Sequence, residues 1–339
     1  MKSLPSTSKM IIVLLSLHML MPAIQAFAPV SAADISISSP SPTIVELAED
    51  GALSMDQSLL SPAPTLLKTF SETIVQQLSE QQVFTSWAHS ELQYFPLGPG
   101  THSWLVTVSK DDKELGYLIL TAKDTDSEEY VLSEYGTSAS VPYHVTSLHQ
   151  TLEQLELISS SKKNLNPITI EPLYSPLLPL WKVSYGQQET LYLNALTMEV
   201  LPWDESHWKK LSMQNTELTG AHFSITDASY TSSQAILRKG QRDPLKNLMW
   251  ITSPKLAVYS DQEFESYINQ HNSLIFTSPN RNDEYGGPFA ISGFQKWHSN
   301  QGISEQTIYA GTGLSGQRYL PLSVLRAQGE FHAFSTETK

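Results

Sequence analysis

Residues 102–136, HSWLVTVSKDDKELGYLILTAKDTDSEEYVLSEYG, decide the fold class of this chain. Runs rich in Val, Ile, Leu and aromatic residues alternate there with the turn-forming pieces KDDKE and KDTDSE. An earlier run of the same kind, VFTSWAHSELQYF at residues 83–95, ends in the turn-forming PLGPG. Short apolar runs separated by turn residues are typical of strands joined by hairpins. The pattern therefore predicts a meander of four antiparallel strands.

A helix is expected immediately before this meander. Apolar residues recur every four positions there: Leu66, Phe70, Ile74 and Leu78. This spacing predicts an amphipathic helix, with Thr65 as its N-cap. A helix that covers one face of an antiparallel sheet is an α+β arrangement. We therefore expect a first α+β unit over residues 65–143.

The same order of elements follows in residues 144–203, which we expect to form a second α+β unit. A helical stripe over residues 145–158 precedes four strand-like runs, ITIEPLY, PLWKVSY, TLYLNAL and MEVLPW. Residues 204–339 hold strand-like pieces among Gly- and Pro-bearing turns, with a short helix at DQEFESYINQH. The expected fold class is α+β, with helix-plus-antiparallel-meander units followed by a β-rich C-terminal domain.

The N-terminus has the three parts of a secretory signal peptide. Lys2 and Lys9 form a basic head, residues 10–21 are almost wholly apolar, and small residues follow Pro22. The apolar run is shorter than the roughly 20 residues that a membrane-spanning helix needs. We expect a signal peptide over residues 1–33 and secretion of the chain, either extracellular or associated with the cell surface. An uncleaved membrane anchor is the alternative.

The segment between signal peptide and first helix, residues 34–64, is rich in Ser and Pro and is expected to be a linker. The formal charge of the chain is −13, and losing Lys2 and Lys9 with the signal peptide makes it −15. Such an acidic balance argues against nucleic acid as a partner, because phosphates are neutralised by clustered Lys and Arg. Beyond the signal peptide no stretch is apolar enough to span a bilayer, so no membrane association is expected after cleavage.

Two segments carry a family resemblance. GYLILTAKDTDSEEYVLSEYGTSASVPY, residues 116–143, resembles the propeptide strands of secreted streptopain-type cysteine peptidases. PLWKVSYGQQETLYLNALTMEVLP, residues 179–202, is similar to the closing hairpin of PepSY-type domains, although Met198 stands where Gly is usual. The residues that match this hairpin ending are Asn194, Ala195, Thr197, Glu199 and Val200.

The resemblance implies a propeptide or PepSY-like region over residues 65–203. In those families such domains inhibit a peptidase, assist its folding, or serve as accessory modules of exported proteins. The chain contains no cysteine. A cysteine nucleophile is therefore excluded, and the resemblance implies a module without its peptidase and transfers no catalytic residue.

Motifs for hydrolases and metals are missing or incomplete. Ser315 in GTGLSGQR has Gly at the wrong offsets for a nucleophile elbow, and no histidine pair has the zinc-protease spacing. Loops SPNRNDEYGG and KDTDSEE offer oxygen ligands that would suit calcium, but neither has the Gly and Glu of a helix-loop-helix site. Solvated turns are the alternative for both loops. No metal ligand and no cofactor are predicted, and two alternatives stay open, calcium at these loops and zinc between His89 and His102 on neighbouring strands.

The stretch NRNDEYGGPFAISGFQKWH, residues 280–298, is the candidate binding loop. It combines polar side chains, a Gly-Gly-Pro backbone and aromatic residues, a mixture found at sugar- and peptide-binding surfaces. Aromatic residues at alternate strand positions are the competing, buried interpretation. The candidate binding residues are Asn280, Asn282, Asp283, Glu284, Tyr285, Phe289 and Trp297.

The sequence thus predicts a secreted, non-enzymatic accessory or binding protein whose partner is a protein or a cell-wall polymer. One alternative is an extracellular hydrolase that uses a pair of carboxylates in the C-terminal domain. No sequence motif reveals such a pair, because the two carboxylates are defined by their distance in the folded protein. Another is a peptidase inhibitor or folding helper that acts in trans. A degenerate peptidase-like domain that has lost its cysteine is an intermediate hypothesis between the binding protein and the enzyme.

Overall fold

The computed structural model describes residues 45–47, 53–55, 62–98, 102–123, 129–158, 168–186, 189–212, 225, 230–238, 243–278, 288–300, 306–313 and 317–333. The predicted signal peptide lies outside these residues, as does most of the predicted linker, in which residues 45–47 and 53–55 pair as two short antiparallel strands. The described residues form helices and large antiparallel sheets, in agreement with the α+β prediction. Among them, no helix combines the length and apolar character needed to cross a bilayer.

The helices are α1 Thr65–Ser79, α2 Val145–Gln154, α3 at residues 205–212, α4 Asp261–His271 and α5 Leu322–Gln328. Short 3₁₀ helices cover Gln82–Trp87, Ser138–Ser140 and Leu248–Thr252. The strands of the first half are β1 Val45–Leu47, β2 Leu53–Met55, β3 Glu91–Leu97, β4 Ser103–Lys110, β5 Lys113–Ala122, β6 Tyr130–Thr137, β7 Ile168–Leu173, β8 Leu180–Tyr185, β9 Glu189–Asn194 and β10 Val200–Leu201. Those of the second half are β11 Tyr230–Ser232, β12 Ile236–Leu237, β13 Lys255–Leu256, β14 Leu274–Thr277, β15 Phe289–Ser299, β16 Gln306–Thr312, β17 Arg318–Pro321 and β18 Glu330–Ala333.

The predicted four-stranded meander is confirmed, and it is part of a larger sheet. Strands β3 to β6 pair antiparallel in chain order, and β17 pairs with β6 through Arg318 opposite Gly136. The full order is β13-β18-β14-β15-β16-β17-β6-β5-β4-β3, with β11 and β12 also paired to β15. The boundary predicted at residue 204 therefore does not separate two sheets, because strands from both sides of it share backbone hydrogen bonds.

The first helix buries a slightly different stripe from the one that the sequence suggested. Leu67, Phe70, Ile74 and Leu78 face the sheet, whereas Leu66 is 51% exposed. Spacings of three and four residues keep a stripe on one side of a helix with 3.6 residues per turn. Thr65 is the first helical residue and the N-cap position belongs to Pro64.

The run predicted as one strand at residues 83–95 divides into two elements. Its first part is the 3₁₀ helix Gln82–Trp87, which buries Phe84 and Trp87, and only Glu91 onwards is strand. His89 has φ 60°, a left-handed conformation that a strand cannot continue through. The second predicted helix likewise ends at Gln154, just before Glu156 with φ 59°.

The meander forms the middle layer between two cores. On one face Val106, Leu118 and Leu132 pack with α1. The opposite face, including Leu105 and Ile119, packs with α2 and with a second sheet of order β10-β9-β8-β7. Alternate residues of each strand point to opposite faces, so the meander must be apolar on both.

A buried ion pair joins three parts of this architecture. Arg318 of β17 donates from Nε to Glu134 Oε1 at 3.1 Å and from Nη2 to Glu134 Oε2 at 2.7 Å. The hydroxyls of Tyr117 and Tyr174 also donate to the Glu134 carboxylate, at 2.7 and 3.1 Å. Arg318 Nη2 lies 2.5 Å from the carbonyl oxygen of Pro176, in the connection between β7 and β8. The pair therefore ties the meander, the C-terminal strands and the second sheet together.

Tyrosine and tryptophan side chains fill the core where β6 meets β15, β16 and β17. Tyr135 stacks on Tyr319 with ring centroids 4.9 Å apart, and its hydroxyl donates to Gln295 Oε1 at 2.8 Å. Tyr309 donates to the carbonyl oxygen of Leu132 at 2.5 Å. Burial raises the pKa of Tyr135 and of Tyr309 well above the ordinary value.

Replacing Arg318 by Met should lower the free energy of unfolding by about 3–5 kcal/mol, because it leaves the Glu134 carboxylate buried without a counter-charge. Urea unfolding monitored by tryptophan fluorescence measures this. Lys123→Ala removes the exposed ion pair with Glu129 and should change the same quantity by less than about 1 kcal/mol. Equal effects of the two substitutions would contradict the central role of the buried pair.

Stability should fall as the pH rises above about 10, because unfolded tyrosines lose their protons near that pH while buried ones keep them. Between the two pKa values the unfolded state binds fewer protons, so a higher pH favours unfolding. Urea unfolding at a series of alkaline pH values measures the slope. Tyr309→Phe should make the slope shallower, and Tyr259→Phe, at a side chain that is 85% exposed, is the matched control.

Candidate functional site

A pocket of about 430 Å³ lies where the second sheet meets the C-terminal strands. We call it the seam pocket. Its walls come from the 3₁₀ turn after β6, the start of α2, the turn after β9, the start of β15 and the β16–β17 connection. The lining includes His144, Asn194, Met198, Phe289, Thr312 and Arg318.

The turn after β9 shapes one wall of the seam pocket. Asn194 Oδ1 accepts hydrogen bonds from the backbone N–H of Leu196 at 2.9 Å and of Thr197 at 3.3 Å. Met198 then takes φ 60°, and its N–H donates to the carbonyl oxygen of Asn194 at 2.8 Å. An Asn side chain that bonds the backbone two residues ahead stabilises a tight turn. The local sequence therefore holds this wall without help from a ligand.

The seam pocket contains a cation whose charge is already balanced. Burial alone would lower the pKa of Arg318, but Glu134 and the nearby phenols outweigh it and raise that pKa above its ordinary value. Arg318 therefore stays charged and engaged with Glu134. Thr312 Oγ1 donates to the carbonyl oxygen of Arg318 at 3.0 Å, which ties the two strands at the back of the pocket.

His144 is the titratable side chain at the mouth of the pocket. Its Nε2 lies 3.5 Å from Oε1 of Glu114, which does not itself line the pocket. Burial raises the pKa of Glu114, and His144 partly offsets that rise. None of the described residues that line the pocket is an acid. The arrangement offers hydroxyl, amide and imidazole groups beside apolar surface.

Of the seven candidate binding residues, only Phe289 and Trp297 belong to the described residues. Asn280, Asn282, Asp283, Glu284 and Tyr285 lie outside the described residues. Phe289 lines the seam pocket, with its ring centroid 5.0 Å from that of Phe276.

Trp297 is fully buried, and its Nε1 donates to the hydroxyl of Tyr135 at 3.2 Å. It is thus a core residue and not part of a binding surface, because β15 turns it towards the meander core. The buried interpretation of the alternating aromatic residues holds for this side chain.

The two loops considered for calcium also fall almost wholly outside the described residues, as does Ser315. Within the described ranges, no group of three or more His, Asp or Glu side chains is placed to hold a metal ion. The sequence did not indicate Arg318 and Thr312 as pocket residues, because both lie in strand-like runs that contain no recognisable motif. Asn194 was noticed only through the resemblance.

Comparisons with known proteins do not identify the chain: no family model, no curated protein and no solved structure matches it. The propeptide and PepSY-like resemblance therefore stays a prediction.

Met198→Gly should be more stable than Met198→Ala by about 1 kcal/mol, because only glycine adopts a left-handed backbone without a steric cost. Both variants lose the same partly buried side chain beyond Cβ, so their difference isolates the backbone effect. Thermal unfolding of the two variants measures it. A more stable alanine variant would contradict the left-handed turn at this wall of the pocket.

Proposed function

We propose that this protein is an exported, non-enzymatic binding protein and that the seam pocket is its ligand site. The single observation that carries the proposal is the pocket itself, which the second sheet and the C-terminal strands form together. Its volume of about 430 Å³ falls in the usual range for ligand sites, about 300–1,000 Å³. The N-terminal signal pattern supports export.

The lining favours binding over hydrolysis. Glycoside hydrolysis needs two carboxyl groups roughly 5–10 Å apart at the scissile bond. None of the described residues lining the seam pocket carries a carboxylate, and Glu134 is engaged with Arg318 behind it. Ser138 and Ser147 do line the pocket, but His144 is directed to Glu114 and, in the described part of the chain, is hydrogen-bonded to no hydroxyl.

The ligand class follows from the same groups. A pocket in which the buried Arg318 is neutralised by Glu134 suits a ligand without net charge. Hydroxyl, amide and imidazole groups can hydrogen-bond to hydroxyls, and Phe289 with Met198 offers apolar surface for the face of a sugar ring. A saccharide unit of a cell-wall polymer has both properties, which makes it the preferred ligand.

Replacing Phe289 by Ala should weaken retention of the chain from Asp34 onwards on insoluble cell-wall polymer by about tenfold, or roughly 1.4 kcal/mol. Sedimentation of the polymer with increasing protein measures the affinity. His144→Gln should weaken it in the same direction. Tyr259→Ala, an exposed aromatic residue of the same third of the chain and outside the pocket, should bind as the unmodified protein does.

Circular dichroism checks that each variant is folded before its binding is compared. Release of soluble fragments from the polymer during long incubation would support the hydrolase alternative instead. Unchanged retention of the Phe289 and His144 variants would place the ligand site elsewhere in the molecule.

A further inference from the structure

The guanidinium of Arg318 has more hydrogen-bond donors than the described residues use. A guanidinium carries five N–H groups in one plane, one on Nε and two on each Nη. Nε and Nη2 bind the two carboxylate oxygens of Glu134, and Nη2 also meets the carbonyl oxygen of Pro176. The two N–H groups of Nη1 are left, and they have no hydrogen-bond partner among the described residues.

The unused nitrogen faces the seam pocket. Because Nε and Nη2 form the edge that meets Glu134, the planar group directs Nη1 away from that carboxylate. Arg318 lines the seam pocket, and its side chain is 8% exposed. Among the described residues, the fully enclosed side-chain atoms without a partner do not include Nη1, so Nη1 keeps an exposed surface. A nearly buried cation thus presents two fixed donors to the pocket.

The acceptors next to this guanidinium are already engaged. Oε1 of Glu134 accepts from Arg318 and from Tyr117. Oε2 of the same carboxylate accepts from Arg318 and from Tyr174. A ligand hydroxyl bound to Nη1 would find these oxygens occupied, and a donor left without a partner in a closed pocket costs affinity. A carbonyl oxygen only accepts, so it fits this position better than a hydroxyl does.

The charge balance favours a neutral carbonyl over a carboxylate. Arg318 and Glu134 form a buried pair whose charges cancel. A ligand carboxylate on Nη1 would add a second negative charge near Glu134 opposite a single guanidinium. Two carboxylates that share one buried site disfavour each other's charged form. An amide carbonyl is a good acceptor without a charge, so it meets no such repulsion.

Apolar side chains lie next to the unused donor. Leu177 directly follows Pro176, whose carbonyl oxygen binds Arg318 Nη2, and it lines the seam pocket. Val141 lines the same pocket, and both apolar residues are largely buried. A hydrogen-bond donor beside apolar surface matches an acetyl group, which carries a carbonyl oxygen and a methyl group on one carbon.

We propose that Arg318 is the specificity-determining residue of the seam pocket and that it selects saccharide units with an acetamido group. This assignment rests on the proposed function, in which the seam pocket is the ligand site, and it adds the substituent that the ligand carries. The acetamido carbonyl oxygen would accept from Arg318 Nη1, and the methyl group would contact Leu177. The sugar ring would pack against Phe289 and Met198, which line the same pocket.

The probes are two soluble tetrasaccharides with the same glycosidic linkage. One is a tetramer of N-acetylglucosamine, and the other is the matching tetramer of glucose, in which a hydroxyl replaces each acetamido group. Isothermal titration calorimetry with the chain from Asp34 onwards measures both affinities. The acetamido tetramer should bind at least about tenfold more tightly, because it alone supplies a carbonyl acceptor.

Side-chain NMR tests the contact in the unmodified protein. When arginine is the only isotope-labelled residue, the spectrum reports the guanidinium groups alone. The signals of Arg318 are recognised by their slow exchange with solvent, which is expected of a buried group held by Glu134. The acetamido tetramer should shift the Nη signals of Arg318, and the glucose tetramer should shift them less at the same occupancy.

A matched pair of substitutions separates the acetamido contact from the ring contact. Arg318→Lys keeps the charge, but an ammonium lacks the planar fork that serves Glu134 and the ligand together. The preference for the acetamido tetramer should then fall below about threefold. Phe289→Ala removes a contact to the ring, which both tetramers have, so it should weaken both by about the same factor. The tetramer comparison and the NMR use the unmodified protein, so they stand even where the lysine variant fails to fold.

The proposed function and the acetamido preference can fail separately. Equal affinities of the two tetramers, both weakened by Phe289→Ala, would overturn the preference and leave the ligand site in place. Unchanged Arg318 signals at saturation, or an undiminished preference in a folded lysine variant, would overturn the role of Arg318. Absence of binding by either tetramer would also overturn the preference, whereas the ligand site itself is tested by retention of the Phe289 variant on cell-wall polymer.

Discussion

The buried pair of Glu134 and Arg318 is the interaction on which the arrangement of the molecule depends. It lies where β6, β17 and the β7–β8 connection meet, and each of these belongs to a different part of the chain. A buried charge is tolerated only when it is paired and hydrogen-bonded. The guanidinium and the two phenols meet this requirement together, so the register that brings Arg318 to Glu134 leaves neither charge buried without a partner.

The seam pocket and a second groove both result from how layers cover the meander. The second sheet and the C-terminal strands meet around Arg318, and the space left in front of that contact is the seam pocket. On the other face α1 packs over the centre of the meander and leaves β3 partly uncovered, which produces a groove beside Leu92 and Tyr94. Ligand sites commonly lie at such borders, because packed elements of different shape cannot close every gap.

The chemistry of the seam pocket follows from the contacts around it. Arg318 is neutralised by Glu134, and the lining adds hydroxyl, amide and imidazole groups. An uncharged ligand therefore meets no unpaired charge among the described lining residues.

The sequence by itself determined the features that depend on local patterns. The hairpins of residues 102–136, the helix before them and the absence of any cysteine are all legible there, because side-chain period and turn residues act over a few positions. Even so, Leu66 was assigned to the wrong face of α1, and His89 interrupts a run that looked like one strand. The tertiary structure alone decided that β17 pairs with β6, that Trp297 is buried, and that Arg318 faces Glu134 across 184 positions of sequence. Those contacts depend on which surfaces meet in space, and a local pattern carries no information about a partner so far along the chain.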